Sequence, residues 1–159
     1  MENLTLIIPA KNESESLPIF LNELKKYNCK KMIVLQKDDL KTIESLKDYN
    51  EVEIFEQNQL GYGSAIIEGI NNTKTEYFCI INADGSMDPK YLPLMLDKCK
   101  NCDLVFTSRY LRPGGGSDDD GVVHRAGVAK RLHQLRDGRT LLADGHVDAK
   151  ERFGCSKRK

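Results

Sequence analysis

Residues 4–13 read Leu4-Thr5-Leu6-Ile7-Ile8-Pro9-Ala10-Lys11-Asn12-Glu13. The run from Leu4 to Ile8 is almost continuously apolar, without the polar alternation of a half-exposed strand. Such a run suits a strand buried on both faces, as in a parallel sheet covered by helices. Pro9 ends it, and Ser14 or Ser16 is expected to cap a helix carrying Leu17, Phe20, Leu21 and Leu24 at helical spacing.

The same alternation continues along the chain. Met32 to Leu35 reads as a second strand, Leu40 to Leu46 as a short helix and Val52 to Phe55 as a third strand. A helix through Ala65 to Ile70 follows Gly61-Tyr62-Gly63. Tyr77 to Ile81 reads as a fourth strand, and Pro89 opens a helix through Leu92, Met95 and Leu96, a position where proline is tolerated. Leu104 to Phe106 reads as a fifth strand. Strands alternating with helices predict an α/β fold, a Rossmann-like, mostly parallel sheet with helices on both faces. Ligands of such sheets bind beyond the carboxyl ends of the strands.

With 159 residues, 40% of them hydrophobic and 30% charged, the chain fits one ordinary soluble domain with a real core. The formal net charge of zero argues against a nucleic-acid binder, which needs a basic face. The amino terminus does not read as a signal peptide, and no stretch nears the ~20 apolar residues of a membrane span. The cysteines are odd in number and scattered, so reduced thiols and a cytoplasmic location are expected. Cys99 and Cys102 form a lone CxxC with no second pair nearby and read as two ordinary cysteines.

Composition changes near residue 111. Before it Arg109 is the single arginine; from Leu111 onward there is no Ile, Asn or Tyr, and His124, His133 and His146 all fall there. Residues with AT-rich codons give way to residues with GC-rich ones. A change of reading frame near Asp120 is the favoured account, a polar tail the alternative. Residues 1–120 are expected to form the functional domain and residues 121–159 a poorly ordered tail outside the packed fold. Val128, Leu132 and Leu135 would allow one or two amphipathic turns at most, and the tail histidines read as solvated residues.

Chemistry is expected in the loops at the strand ends. Pro9-Ala10-Lys11-Asn12-Glu13 sets polar groups beside a rigid proline, suited to holding a flat base by its edge; a plain turn is the alternative. Gly61-Tyr62-Gly63-Ser64 opens a helix, where backbone can approach a phosphate; a glycine-rich turn is the alternative. Asn82-Ala83-Asp84-Gly85-Ser86-Met87-Asp88 places a carboxamide and a carboxylate one residue apart, able to face one hard cation. The alternative there is an Asx-turn. Asp84 is assigned to the metal and Asp88 to capping the next helix.

The order IIPAKNESESLP (7–18), GYGSAIIEG (61–69), INADGSMDPKYLP (81–93) and DLVFTSRYLRPGGGS (103–117) resembles the family 2 glycosyltransferases over roughly residues 4–120. The ending is similar to the dolichyl- and undecaprenyl-phosphate sugar transferases. The resemblance implies a GT-A fold that binds a nucleoside-diphosphate sugar and a divalent metal, Mg or Mn. It puts Pro9, Asn12 and Glu13 in the base-binding loop and Gly61 and Gly63 near the ribose and phosphates. Asp84 matches the second acid of the Asp-x-Asp metal motif, with Asn82 in the place of the first. Asp84 and Arg109 are the implied catalytic residues, Arg109 facing the acceptor or its phosphate.

The implied reaction is a single inverting displacement at the anomeric carbon. A polyprenyl-phosphate acceptor at a membrane surface, already anionic, would need no general base. Two departures weaken the match. Asparagine at position 82 is a neutral ligand, and Gln36-Lys37-Asp38-Asp39 stands where the family has paired aspartates before Gly-Ser. The chain is therefore expected to bind donor better than it completes transfer, with a non-catalytic remnant that binds nucleotide sugar or a partner as the alternative. A sugar-nucleotide pyrophosphorylase would need a glycine-rich, arginine-bearing loop after the first strand, which PAKNE is not.

Overall fold

The computed structural model describes residues 1–107, 127–130 and 153–156. Its strands are β1 (Leu4–Pro9), β2 (Lys30–Leu35), β3 (Val52–Glu56), β4 (Tyr77–Ile80), β5 (Leu104–Thr107), β6 (Gly127–Lys130) and β7 (Phe153–Ser156). Its helices are α1 (Ser16–Leu24), α2 (Leu40–Ser45), α3 (Tyr62–Asn72) and α4 (Leu92–Lys98), with a 3₁₀ turn at Pro89–Tyr91 before α4.

The sheet runs β3-β2-β1-β4-β6-β5-β7. β1 lies between β2 and β4, parallel to both, and β2 is parallel to β3. β6 pairs antiparallel with β4 on one side and β5 on the other, so β5 points the same way as β1 to β4. β7 pairs antiparallel with β5. The expected α/β, mostly parallel sheet is present.

The apolar run of β1 follows from this position. Leu4, Leu6 and Ile8 join one core with Leu17, Phe20, Leu21 and Leu24 of α1. Ile7 joins a second, smaller core with Met32, Val34 and Ala65 of α3. The helices thus cover opposite faces, and a central strand needs apolar side chains on both. The polar member, buried Thr5, shares a 2.7 Å hydroxyl hydrogen bond with Thr75. Gly69 lets α3 come close. A Cβ there would stand 2.5 Å from Ile7 Cγ2 and 3.2 Å from Val34 Cγ2.

The structure departs from sequence expectation in three places. Cys102, expected as a reduced thiol, is disulfide-bonded, while Cys29, Cys79 and Cys99 are free. Neither Ser14 nor Ser16 caps α1. The helix begins at Ser16 after Glu15 with no side-chain cap, and the Ser16 hydroxyl donates instead to the Glu13 carboxylate. Sequence reading also placed no element in residues 121–159, yet Gly127–Lys130 and Phe153–Ser156 lie in the sheet. Each is a short stretch with a glycine and a polar residue (Gly127-Val128-Ala129-Lys130 and Phe153-Gly154-Cys155-Ser156), without the apolar run that marks β4 and β5, and each joins the sheet through backbone pairing that any non-proline residue supports. The other residues of that segment lie outside the described ones. Among the described residues no helix is long and apolar enough to cross a membrane.

Candidate functional site

The carboxyl ends of the parallel strands open into a cleft of about 830 Å³. Pro9, Ala10, Lys11 and Glu13 line it from the end of β1, Gln36 from β2 and Gln57 from β3. Leu60, Gly61, Tyr62 and Ala65 contribute the start of α3, and Asn82, Ala83 and Asp84 the end of β4. Three loops far apart in sequence meet at one place because β1, placed centrally, has β2 and β4 as neighbours and α3 packed across it.

The loop after β1 is pinned from its outer side. The Asn12 N–H donates to Asp39 Oδ2 at 2.8 Å and the Glu13 N–H to Thr42 Oγ1 at 3.0 Å. Asp39 also caps α2 by accepting from the Thr42 N–H at 3.3 Å. Asn12 takes φ 59°, a left-handed conformation that asparagine tolerates better than most residues. The acid of Gln36-Lys37-Asp38-Asp39 nearest this loop is therefore engaged in fixing its backbone, and Gln36 presents a carboxamide to the cleft.

The loop after β3 reaches α3 through Gly61, whose φ of 110° and ψ of 154° lie in a region open to glycine alone. No side chain caps α3, so its first-turn amides, beside the cleft, stay available to an anion. Gly63 has open space where a Cβ would project, so backbone there is approachable.

The loop after β4 holds the oxygen donors. Asp84 Oδ1 accepts from the Ser86 N–H at 2.9 Å, an Asx-turn. Asn82 donates from Nδ2 to Ser86 Oγ at 3.3 Å and accepts at Oδ1 from the Tyr62 hydroxyl at 3.0 Å. Burial first, and the Asp84 charge second, push the Tyr62 phenol above its ordinary range. Asp88 does not line the cleft. It caps the 3₁₀ turn by accepting from the Lys90 N–H at 2.9 Å.

Pro9, Glu13, Gly61, Asn82 and Asp84, all expected from the sequence, thus share one cleft; Asn12 and Gly63 adjoin lining residues without lining it themselves. Arg109 lies outside the described residues. Gln57 and Leu60 were missed. The rule of searching just past each strand end would have found Gln57, which follows β3 directly. Among the described residues no cluster of three or more Asp, Glu, His or Cys could hold a metal alone. Asn82 and Asp84 both line the cleft with oxygen-bearing side chains, the kind of donor a hard cation takes.

The fold occurs in solved structures of low sequence identity. A cytidylyltransferase from Leptospira borgpetersenii serovar Hardjo-bovis (strain JB197) superposes with a TM-score of 0.60 at 16% identity, over 82% of this chain and 61% of that one. The 4-diphosphocytidyl-2C-methyl-D-erythritol synthase from Anaerococcus prevotii DSM 20548 gives 0.59 at 13% identity, over 82% and 70%. Sequence relatives are more specific. A glycosyltransferase of Mycobacterium tuberculosis (strain ATCC 25618 / H37Rv) is 33% identical over 115 residues, 71% of this chain and 50% of that one. The dolichol-phosphate mannosyltransferase of Saccharomyces cerevisiae (strain ATCC 204508 / S288c) is 25% identical over 96 residues, 60% of this chain and 36% of that one. The chain spans about half or less of the length of these curated relatives. The profile described as Glycosyl transferase family 2 matches residues 5–152, most of the sequence, and the chain belongs to that family.

Proposed function

We propose that the cleft binds a nucleoside-diphosphate sugar with the help of Mg or Mn, as the donor site of a sugar transfer. The observation that carries this reading is the convergence of the loops after β1, β3 and β4 on one cleft, with Asp84 at its edge. Pro9, Ala10 and Glu13, with Gln36 and Gln57, offer an apolar seat and edge hydrogen-bonding groups for a base. The open amides at the start of α3 suit the phosphates. Asp84, with Asn82, would hold the divalent cation, whose bound charge would offset charge gathering on the leaving diphosphate. Among the lining residues Glu13 and Asp84 are the carboxylates and there is no histidine or cysteine. That set fits a displacement in which the acceptor brings its own anionic oxygen. A polyprenyl phosphate is such an acceptor, in keeping with the name of the yeast relative. Arg109 is assigned to the acceptor side, and a membrane-peripheral setting would follow from such an acceptor.

A second reading is binding without transfer. It is favoured by Asn82, a neutral group at the first acid position whose Oδ1 already accepts from Tyr62. We assign the 159-residue chain to donor binding with little or no completed transfer. Calorimetry with UDP and GDP, with and without Mn²⁺ or Mg²⁺, tests the site. Binding of one nucleotide, tightened by metal, is expected; folded protein that binds neither overturns the proposal. Sugar transfer to a polyprenyl phosphate by this chain would overturn the assignment to binding alone.

A further inference from the structure

Glu68 lies on α3, beyond the lining of the cleft, and its carboxylate is used entirely on the neighbouring loop. Oε1 accepts from the backbone N–H of Asn58 at 3.1 Å and of Gln59 at 2.9 Å. Oε2 accepts from the same Asn58 N–H at 2.8 Å and from Asn58 Nδ2 at 2.9 Å. From the other side Gln57 Nε2 donates to the carbonyls of Gln59 and Gly61, and the Gln57 N–H donates to Leu35 O at 2.9 Å. The loop has little else to fix it. Asn58, Gln59, Leu60 and Gly61 are all exposed, and Leu60 is 79% so. Yet this loop sets where Gln57, Leu60, Gly61 and Tyr62 stand along the cleft.

We propose that Glu68 is a positioning residue that shapes the nucleotide-facing loop after β3 by gathering its backbone amides onto one carboxylate. The inference rests on the nucleotide-binding reading above. The amides that converge on it are donors only, so the site needs an acceptor on both arms, which a carboxylate supplies and a carboxamide does not. The backbone amides of Asn58 and then Gln59 hold the Glu68 carboxyl below its ordinary range, as expected of a group bound in its charged form. An amide-bound loop is prepaid in conformational entropy, and a ligand that meets it ordered binds more tightly.

The test compares wild type, Glu68→Ala, Glu68→Gln and, as a charge control on the exposed face of β3, Glu53→Gln. Amide hydrogen exchange at Asn58 and Gln59 reads the hold on the loop, exchange in β1 reads the fold, and calorimetry with UDP and GDP reads the consequence. In Glu68→Ala, exchange at Asn58 and Gln59 should quicken by about tenfold with β1 unchanged, and nucleotide affinity should fall by about tenfold. Glu68→Gln should fall between, since one of its arms turns a donor toward donors, and Glu53→Gln should match wild type. Exchange at Asn58 and Gln59 equal in wild type and Glu68→Ala overturns the hold. Quickened exchange with unchanged affinity overturns the role in binding. Wild type that binds neither nucleotide overturns the functional reading instead, and exchange then decides whether Glu68 fixes the loop.

Discussion

Across the cleft, the loop after β3 (Gln57 to Gly61) faces the loop after β4 (Asn82 to Asp88), and they keep their shapes by different contacts. The β4 loop is held from within. Ala83 and Met87 are buried in the main core, and the polar residues of the loop bond to each other, Asp84 and Asn82 both to Ser86. The β3 loop buries nothing comparable and is held from outside, by Glu68, ten residues beyond Asn58 and nine beyond Gln59. One wall is thus an anchored platform for oxygen donors. The other is a strap whose shape depends on a few hydrogen bonds, and free energies of local opening are lowest where burial is least.

The largest effect should come from the anchored wall. Asp84→Ala removes its one cleft-lining carboxylate while the Ser86 amide it releases remains near water. Calorimetry should show the metal-dependent part of nucleotide affinity lost, a fall of roughly a hundredfold or more, with little change in melting temperature. Retained metal dependence would move the cation site off this wall.

On the strap, Gly61→Ala tests backbone conformation alone. A Cβ there meets nothing within 4 Å, so any cost comes from φ 110°. Such a conformation costs a non-glycine residue about 1–3 kcal/mol. The exposed loop should relax to avoid it, shifting Leu60 and Tyr62, so that nucleotide binding falls by about tenfold while thermal stability changes less. A loss of stability without a loss of binding would make Gly61 part of the fold rather than of the cleft.

A smaller, purely structural effect is expected at Asp88. Asp88→Ala removes the cap of the 3₁₀ turn and should cost about 0.5–2 kcal/mol in unfolding experiments, leaving nucleotide binding as in wild type. Partial burial pushes the Asp88 carboxyl up, but the hydrogen bonds and charge of Lys90 outweigh it, so the net shift is downward. A carboxyl lowered in the folded state adds stability above its unfolded pKa, and that stability is lost as pH falls through the folded pKa. The difference between wild type and Asp88→Ala should therefore be full at neutral pH and shrink on acidification below the ordinary aspartate range near about 4. A difference that persists in acid would mean that Asp88 acts by something other than its charge.

The same contrast between walls governs what could be read from the sequence. The buried strands were legible because β1 and β2 are apolar on both faces over most of their length. The capping role of Asp88 was legible because its contact is local, two residues ahead; Asp84 bonds two residues ahead as well, in an Asx-turn, and differs from Asp88 in lining the cleft. The strap was not legible. Its contacts join Glu68 to Asn58 and Gln59, and Tyr62 to Asn82, distances along the chain at which nothing in composition or spacing marks a pair. The serine expected to cap α1 failed for a related reason. Ser16 stands inside the helix as its first residue, and its hydroxyl donates to Glu13, whose own backbone is fixed by Thr42 of α2. β6 and β7 were missed because glycine and polar residues break their short stretches, leaving no apolar run like those of β4 and β5 for backbone pairing to be read from.

The smallest effect tests whether the walls communicate. The Tyr62 hydroxyl donates to Asn82 Oδ1 at 3.0 Å, a hydrogen bond that joins the first residue of α3, directly after the strap, to the platform across the cleft. Tyr62 is 56% exposed, so water competes for both groups, and the bond belongs at the low end of about 0.5–1.5 kcal/mol. Tyr62→Phe keeps the ring and deletes the donor. Nucleotide affinity should drop by about twofold to threefold, and the drop should vanish in an Asn82→Ala background, because the partner is then gone. Since the phenol is pushed above its ordinary range, it stays a donor through neutral and mildly alkaline pH, and the difference between wild type and Tyr62→Phe should be flat there. A drop that survives in the Asn82→Ala background would mean that the hydroxyl meets the ligand directly. No drop in either background would mean that platform and strap bind independently, leaving Glu68 as the strap's main support.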